Sequence, residues 1–302
     1  MTPEKSDEWA VPGLDAAAAS RWARRSPAAS PWLHEEVARR MAQRLQWFRE
    51  MPKSWLHWEP AFGGVQAHRQ LRETLEQAEC RVWAQDMSHA LELTREPSRL
   101  SWNPAQWRRA REPMAVQQGA QVAMLWANMA LHHEPLPGAL LQRWHQLLQP
   151  DGFLMFSCLG PDSLIELKAA YAHMGWPAPA HAFTDMHDWG DMLVASGFAE
   201  PVMDMERITL TFSDAEAYLE ELRGLGRNLS AHRFGALRGK VWRAALRQAL
   251  DQHVPRDEAG RLMLSLEVVY GHAFKPQPRL AMKAEQTVSM DAMRAMLKAR
   301  RR

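Results

Sequence analysis

Only two cysteines, Cys80 and Cys158, occur in 302 residues. A disulfide framework or a cysteine-built metal site therefore has no support, and each thiol, lying beside or within a predicted strand, is expected to be buried. No apolar run approaches the ~20 residues that cross a bilayer. The N-terminus MTPEKSDEWAVPG has no apolar core of signal-peptide length, so the cytoplasm is the expected compartment. Charge excess is also missing: 37 basic against 35 acidic residues leave +2, which argues against a surface built as a whole for nucleic acid. His132 and His133 have no second ligand pair at metal spacing, so no metal is expected and both read as packing residues.

What remains is an ordinary globular composition, 46% hydrophobic and 24% charged, in a length that fits one large domain with an insertion. The organising stretch is LLQPDGFLMFSCLGPDSLIELK, residues 147–168. Leu140, Leu141, Trp144, Leu147 and Leu148 form a helical stripe that Pro150, Asp151 and Gly152 stop. Residues 153–159 then read as a strand covered on both faces, which Gly160-Pro161 ends while presetting the next helix. Residues 122–127 open in the same way into the loop NMALHHEPLPG. Two successive units of this kind predict a parallel sheet, whose ligands bind beyond the carboxyl ends of the strands. The loops starting at Asn128 and Leu159 are thus the places to look for chemistry.

Elsewhere the chain divides readily. Residues 1–30 read as a mobile arm with a short helix at 14–25, and 281–302 as a basic, solvated tail. Leu33, Val37, Met41, Leu45 and Phe48 mark a helix over 31–50. Strands are expected near 54–59 and 80–86 with a helix at 67–77 between them, while residues 87–121, broken by Pro97, Pro104 and Pro113, give no clear pattern. A helix is expected at 185–196 and a strand ending in Ile208, Leu210 and Phe212. Ser213 to Glu216 has the form of a capping box for a helix running to Arg223. Val241, Trp242, Ala245, Leu246 and Ala249 mark the apolar face of a further helix, and Leu262 to Tyr270 alternate as a final strand. Between Arg223 and Arg247 lie Arg227, Arg233, Arg238, Lys240 and Arg243 and no acid, with Lys240, Arg243 and Arg247 on one helical face. Such a face attracts an acidic partner, RNA or a membrane surface, or is simply solvated.

The tracts WANMALHHEPLPGALLQRWHQLLQPDGFLMFSCLGPDSLIELKAAY, FTDMHDWGDMLVASGFAEPVMDMERITLTF, YLEELRGLGRN and LEVVYGHAFKP resemble the malonyl-[acyl-carrier protein] O-methyltransferases of biotin synthesis. The resemblance implies an α/β class I methyltransferase domain over 31–280, Rossmann-like, with a seven-stranded sheet that is mostly parallel but for an antiparallel last strand. A helical insertion over 213–261 is implied between the last two strands. It also implies S-adenosylmethionine as cofactor, a malonyl-loaded acyl carrier protein or malonyl-coenzyme A as partner, and the basic face Lys240, Arg243 and Arg247 as the carrier's docking surface. The family's glycine-rich turn D-x-G-x-G-x-G aligns with His57 to Gly63, where only Gly63 of three glycines survives and Glu59 and Ala61 carry side chains. Asp86 and Met87 match the family's acidic signature after the second strand, where a carboxylate accepts from ribose hydroxyls, and Asn128 falls on the cofactor pocket at the end of the fourth. Asp86 read alone is a helix cap and Asn128 a turn residue. Arg223 takes the family's basic position for the substrate carboxylate, or else a helix-end cation. Two other readings stay open: a catalytically degenerate relative that keeps fold and carrier surface, and a nucleic-acid methyltransferase or binder, ranked last because no base-reading motif is present.

Overall fold

Alternation along the strands sorts the chain into two apolar layers. The computed structural model describes residues 11, 13–25, 27–95, 113–236 and 238–278. Its strands are β1 (Ser54–Trp58), β2 (Glu79–Trp83), β3 (Met114–Ala115), β4 (Val122–Ala127), β5 (Leu148–Leu159), β6 (Ala199–Phe212) and β7 (Leu262–Phe274). The first helices are α1 (Ala16–Ala23), α2 (Trp32–Gln43), α3 (Pro60–Gly63), α4 (Val65–Thr74) and α5 (Met87–Thr94). They are followed by α6 (Pro137–Leu147), α7 (Ile165–His173), α8 (Met186–Ala195), α9 (Ala215–Leu225) and α10 (Lys240–His253).

Trp55, Met124, Trp126 and Met155 join one core with Leu33, Val37 and Met41 of α2 and Leu71 of α4. Their strand neighbours Leu56, Trp58, Leu125, Leu154 and Phe156 join the other with Leu141 and Trp144 of α6 and Trp189 and Leu193 of α8. A period of two on the strands and of 3.6 on the helices therefore builds an α/β/α sandwich. The sheet order is β3-β2-β1-β4-β5-β7-β6. β1 is parallel to β2 and β4, and β4 to β5, whereas β7 runs antiparallel between β5 and β6. The chain reverses direction in the sheet on either side of β1, and such a switch leaves a crevice beyond the carboxyl ends of β1 and β4.

Several local expectations need correction. Proline, aspartate and glycine at 150–152 do not end α6, which already stops at Leu147; they form an irregularity inside β5, whose pairing with β4 jumps from Val122 opposite Leu148 to Met124 opposite Phe153. Asp151 is left-handed there at φ 62, and a side chain on Gly152 would meet the Gln149 carbonyl oxygen at 2.8 Å. The cap of α9 is Asp214, which accepts from the amides of Glu216 and Ala217 at 3.0 and 2.9 Å, while Ser213 donates to Asp214. Val241 is 86% exposed, so the buried face of α10 is Leu246, Ala249 and Leu250, with Trp242 half-buried against Trp176. β2 stops at Trp83 rather than at residue 86.

The arm expected over 1–30 carries the packed helix α1. Asp15 caps it by accepting from Ala17 and Ala18, and the Asp15 carboxylate also pairs with Arg233 at 2.7 Å. Its amide donates to the Leu229 carbonyl, and Leu14 bridges to Ser230. The insertion between β6 and β7 and the N-terminal helix are thereby tied together. The tail expected at 281–302 lies outside the described residues. Cys80 and Cys158 are free and buried. Among the described residues no helix is long and apolar enough to cross a membrane.

Candidate functional site

The carboxyl ends of β1, β2 and β4 converge on a cavity of about 300 Å³. β1 contributes Trp58 and the following Glu59 and Phe62; β2 contributes Trp83 and Gln85; β4 is continued by Asn128, Met129 and Ala130, then His133 and Glu134. Arg143 of α6, His34 of α2 and Ala19, Trp22 and Ala23 of α1 complete the lining. The wall is largely aromatic. Trp58 and Trp83 stack with centroids 3.7 Å apart, and the Arg143 guanidinium sits over both rings at 4.8 and 4.3 Å. Trp22 meets Phe62 at 5.5 Å and His133 at 5.9 Å.

Asn128 holds this end of the sheet together. Its amide donates to the carbonyls of His34 and Gly63, both at 2.8 Å, and its oxygen accepts from the Ser157 hydroxyl at 2.6 Å. Both amide hydrogens are used, so the expected pocket residue does line the cavity but acts as a clamp between β4, the loop after β1 and α2. Gly63 is buried behind it. A side chain there would meet His57 Nε2 at 2.8 Å, so the neighbouring imidazole alone already requires a glycine. His57, in place of the family's acid, is fully buried and shares a 3.0 Å contact between Nδ1 atoms with His68. Burial pushes it down to about 3. Burial likewise pushes His34 down to about 4, against the raising effect of the Phe62 carbonyl at its Nδ1. The Nε2 atom of His34 has no hydrogen-bond partner among the described residues.

Asp86 is exposed and caps α5, accepting from the His89 amide at 3.1 Å, and it is not on the cavity wall. Met87 is the first residue of that helix and is likewise off the wall. A different carboxyl stands beside the end of β2. Glu59, left-handed at φ 51, donates its amide to the Trp83 carbonyl at 2.7 Å and accepts from the Gln85 amide at 2.8 Å. Burial raises its carboxyl to about 7, with the Gln85 amide opposing and Asp86 adding.

Arg223 lies outside the cavity, half exposed and 3.9 Å from Glu216. Arg243 and Arg247 also pair with Glu216, so the face that is free of acids in the sequence between 223 and 247 meets one from α9 in space. Lys240 begins α10 and is exposed. Among the described residues the cation on the cavity wall is Arg143, while Arg227 and Arg25 stand beside Trp22, each guanidinium 5.5 Å from its ring. Partial burial, then the charges of Arg25 and Arg223, hold Arg227 below its usual range. Glu59, Arg227 and Trp22 were not readable from spacing, because each acts across elements distant in the chain.

A sheet ordered 3-2-1-4-5-7-6 with β7 alone antiparallel, and a cavity at the ends of β1, β2 and β4, defines a class I methyltransferase fold. No family model matches the chain. It is 37% identical over 261 residues to the malonyl-[acyl-carrier protein] O-methyltransferase of Gallionella capsiferriformans, covering 83% of this chain and 87% of that protein. The protein of the same name from Halorhodospira halophila is 32% identical over 261 residues, covering 80% and 81%. That of Laribacter hongkongensis is 42% identical over 157 residues, about half of each chain at 52%. The chain belongs to the malonyl-[acyl-carrier protein] O-methyltransferase family. Among solved structures, the YcgJ protein of Bacillus subtilis is similar at a TM-score of 0.49 and 12% identity, covering 79% of this chain and 98% of that one.

Proposed function

We propose that this chain transfers a methyl group from S-adenosylmethionine to the free carboxylate of a malonyl thioester, borne by acyl carrier protein or coenzyme A, in biotin synthesis in the cytoplasm. The observation that carries the reading is its 37% identity across 87% of a protein named for that methyl transfer. S-adenosylmethionine, when bound, supplies an electrophilic methyl on a sulfonium. The residues of the cavity fit such a cation: Trp22 and Phe62 offer aromatic faces, Glu59 and Glu134 offer carboxyls, and His34 Nε2 is an unpartnered polar atom on the wall. These side chains would hold the donor, with Asn128 fixing the wall behind them.

A malonyl carboxylate, with a pKa of about 4, is already a nucleophile at neutral pH, so no base is required. What the chain must supply is alignment and exclusion of water, and the apolar rings of Trp22 and Phe62 in the lining serve that purpose. Arg143 on the wall, with Arg227 and Arg25 beside Trp22, gives a positive field that draws the carboxylate to the donor. Lys240, Arg243 and Arg247 lie on the insertion, where an acidic carrier would dock, with Glu216 offsetting part of their charge.

Mass spectrometry of malonyl-loaded carrier incubated with the protein and S-adenosylmethionine tests the reading. A methyl ester on the malonyl group is the expected product, with turnover reduced by Arg227→Ala. Absence of the ester on both carrier and coenzyme A thioesters would reject it. One observation favours the second reading, a carrier-binding relative without methyl transfer. Pro60 has no amide hydrogen, and the amides of Phe62, Gly63 and Gly64 are spent on the carbonyls of Glu59 and Pro60, so the loop offers fewer bare amides than a three-glycine turn. Carrier bound at the insertion and no ester formed would be its signature.

A further inference from the structure

The loop after β1 makes its turn on a glutamate. Left-handed backbone is unfavourable at a residue other than glycine, and glutamate has no short polar side chain to offset it locally. Here the offset is made across the sheet. The Glu59 amide donates to the Trp83 carbonyl, and the Glu59 carboxyl accepts from the Gln85 amide, so this one residue ties the end of β1 to the end of β2. Its side chain reaches the spot just past β2 where the family pattern expects an acid, while Asp86 caps α5. No other hydrogen bond reaches the Glu59 carboxyl among the described residues, and that carboxyl forms part of the cavity wall.

We propose that Glu59, and not Asp86, is the carboxylate that receives the ribose hydroxyls of the nucleoside donor, the recognition having moved from the end of β2 to the loop after β1. The inference rests on the methyl-donor reading above and names a residue for it. The rise of the Glu59 carboxyl to about 7 accords with a buried acid that accepts from one amide; hydroxyl donors would stabilise its charged form. The same exchange accounts for the missing glycine: a bare backbone at 59 would leave the end of β2 without a carboxyl aimed into the cavity.

Calorimetric titration of S-adenosylhomocysteine, and of its 2′-deoxy analogue, into the full chain tests this. Wild type should bind S-adenosylhomocysteine, and the 2′-deoxy analogue more weakly. Glu59→Gln should lose about tenfold to a hundredfold for S-adenosylhomocysteine, the size of hydrogen bonds to a charged group, and should no longer distinguish the two ligands. Glu59→Gly, which suits the left-handed turn and so should melt no lower than Glu59→Gln, should lose affinity equally, separating recognition from folding. Asp86→Asn keeps a helix cap and should lose no more than about threefold. Full discrimination retained in Glu59→Gln, or its loss in Asp86→Asn, would overturn the assignment while leaving the donor reading intact. Failure of wild type to bind S-adenosylhomocysteine at all would overturn the donor reading and this assignment with it.

Discussion

The two ends of the sheet are made differently. At one end β7 lies between β5 and β6 in long antiparallel ladders, with Leu262, Leu264, Leu266 and Val268 all fully buried and directed to one core. At the other, β1, β2 and β4 are short, and the space around their carboxyl ends holds His34, His57, His68 and Asn128, all buried, with unpartnered nitrogens on His34 and His57. The first end is stabilised by non-directional burial, which tolerates change of identity at constant volume. The second depends on individual polar contacts, each of which fails if one partner goes. The lesson is that a fold can stay legible while the lining of its site is rewritten, since the fold rests on the first end.

The largest effect expected from a single change lies in the apolar end. Leu266→Ala, at a site with no exposure, should cost about 2–5 kcal/mol in urea unfolding without altering ligand preference among the folded molecules. Asn128→Ala should cost less, about 2–3 kcal/mol, because it strands the carbonyls of His34 and Gly63 and the Ser157 hydroxyl, but it should also abolish binding at the cavity. If Asn128→Ala left binding intact, the clamp would not be what shapes the site and the contrast would break.

Acid separates the two ends next. His34 and His57 are lowered from 6.5 to about 4 and about 3, so in the folded state they stay neutral where the unfolded chain takes up protons. Their stabilising contribution is complete above pH 6.5 and is lost as pH falls from there towards 3. Glu36, held down to about 2 by Arg39 and then Arg40, loses its contribution only between 4.5 and 2. Arg40 also pairs with Glu206 of β6, so this lower window belongs to the far end of the sheet. Glu59, raised to about 7, adds stability as pH falls from there to 4.5 and so opposes this loss. In Glu59→Gln, where that gain is removed, a melting temperature that begins to fall just below pH 6.5 is expected, and one flat down to pH 4.5 would contradict the role given to the buried histidines.

The smallest effect is on the insertion. Glu216→Gln should release Arg243 and Arg247 and strengthen carrier association by about two- to threefold at low salt, fading as salt is added. No change at low salt would remove the docking role from that face.

Much of this was legible before any coordinates. The strand at 122–127, the buried run at 153–159, the alternation at 262–270 and the helix at 185–196 all follow from period and punctuation, because burial imposes those patterns locally. The repeated strand-helix units give the parallel sheet and the strand ends as the place of the cavity, and the family resemblance adds the seven strands with an antiparallel last strand. What escaped was what depends on pairing across the chain. Val241 fits an apolar face by period yet is exposed, because α10 packs through Leu246, Ala249 and Leu250. Glu216 lies outside the stretch whose acids were counted, and folding brings it to Arg243 and Arg247. Asp86 has two readings, and it caps α5 while standing off the cavity wall. Glu59 looked only like a missing glycine until its carboxyl was found against the end of β2.

The central claim, that a family cavity persists behind a rewritten lining, is tested most directly by hydrogen exchange of the full chain with and without S-adenosylhomocysteine. Slowed exchange is predicted in α1, in the loop at 59–64, around 84–87 and around 128–134, with β6, β7, α9 and α10 unchanged. No slowing at these four places under saturating ligand, or slowing confined to α9 and α10, would contradict it.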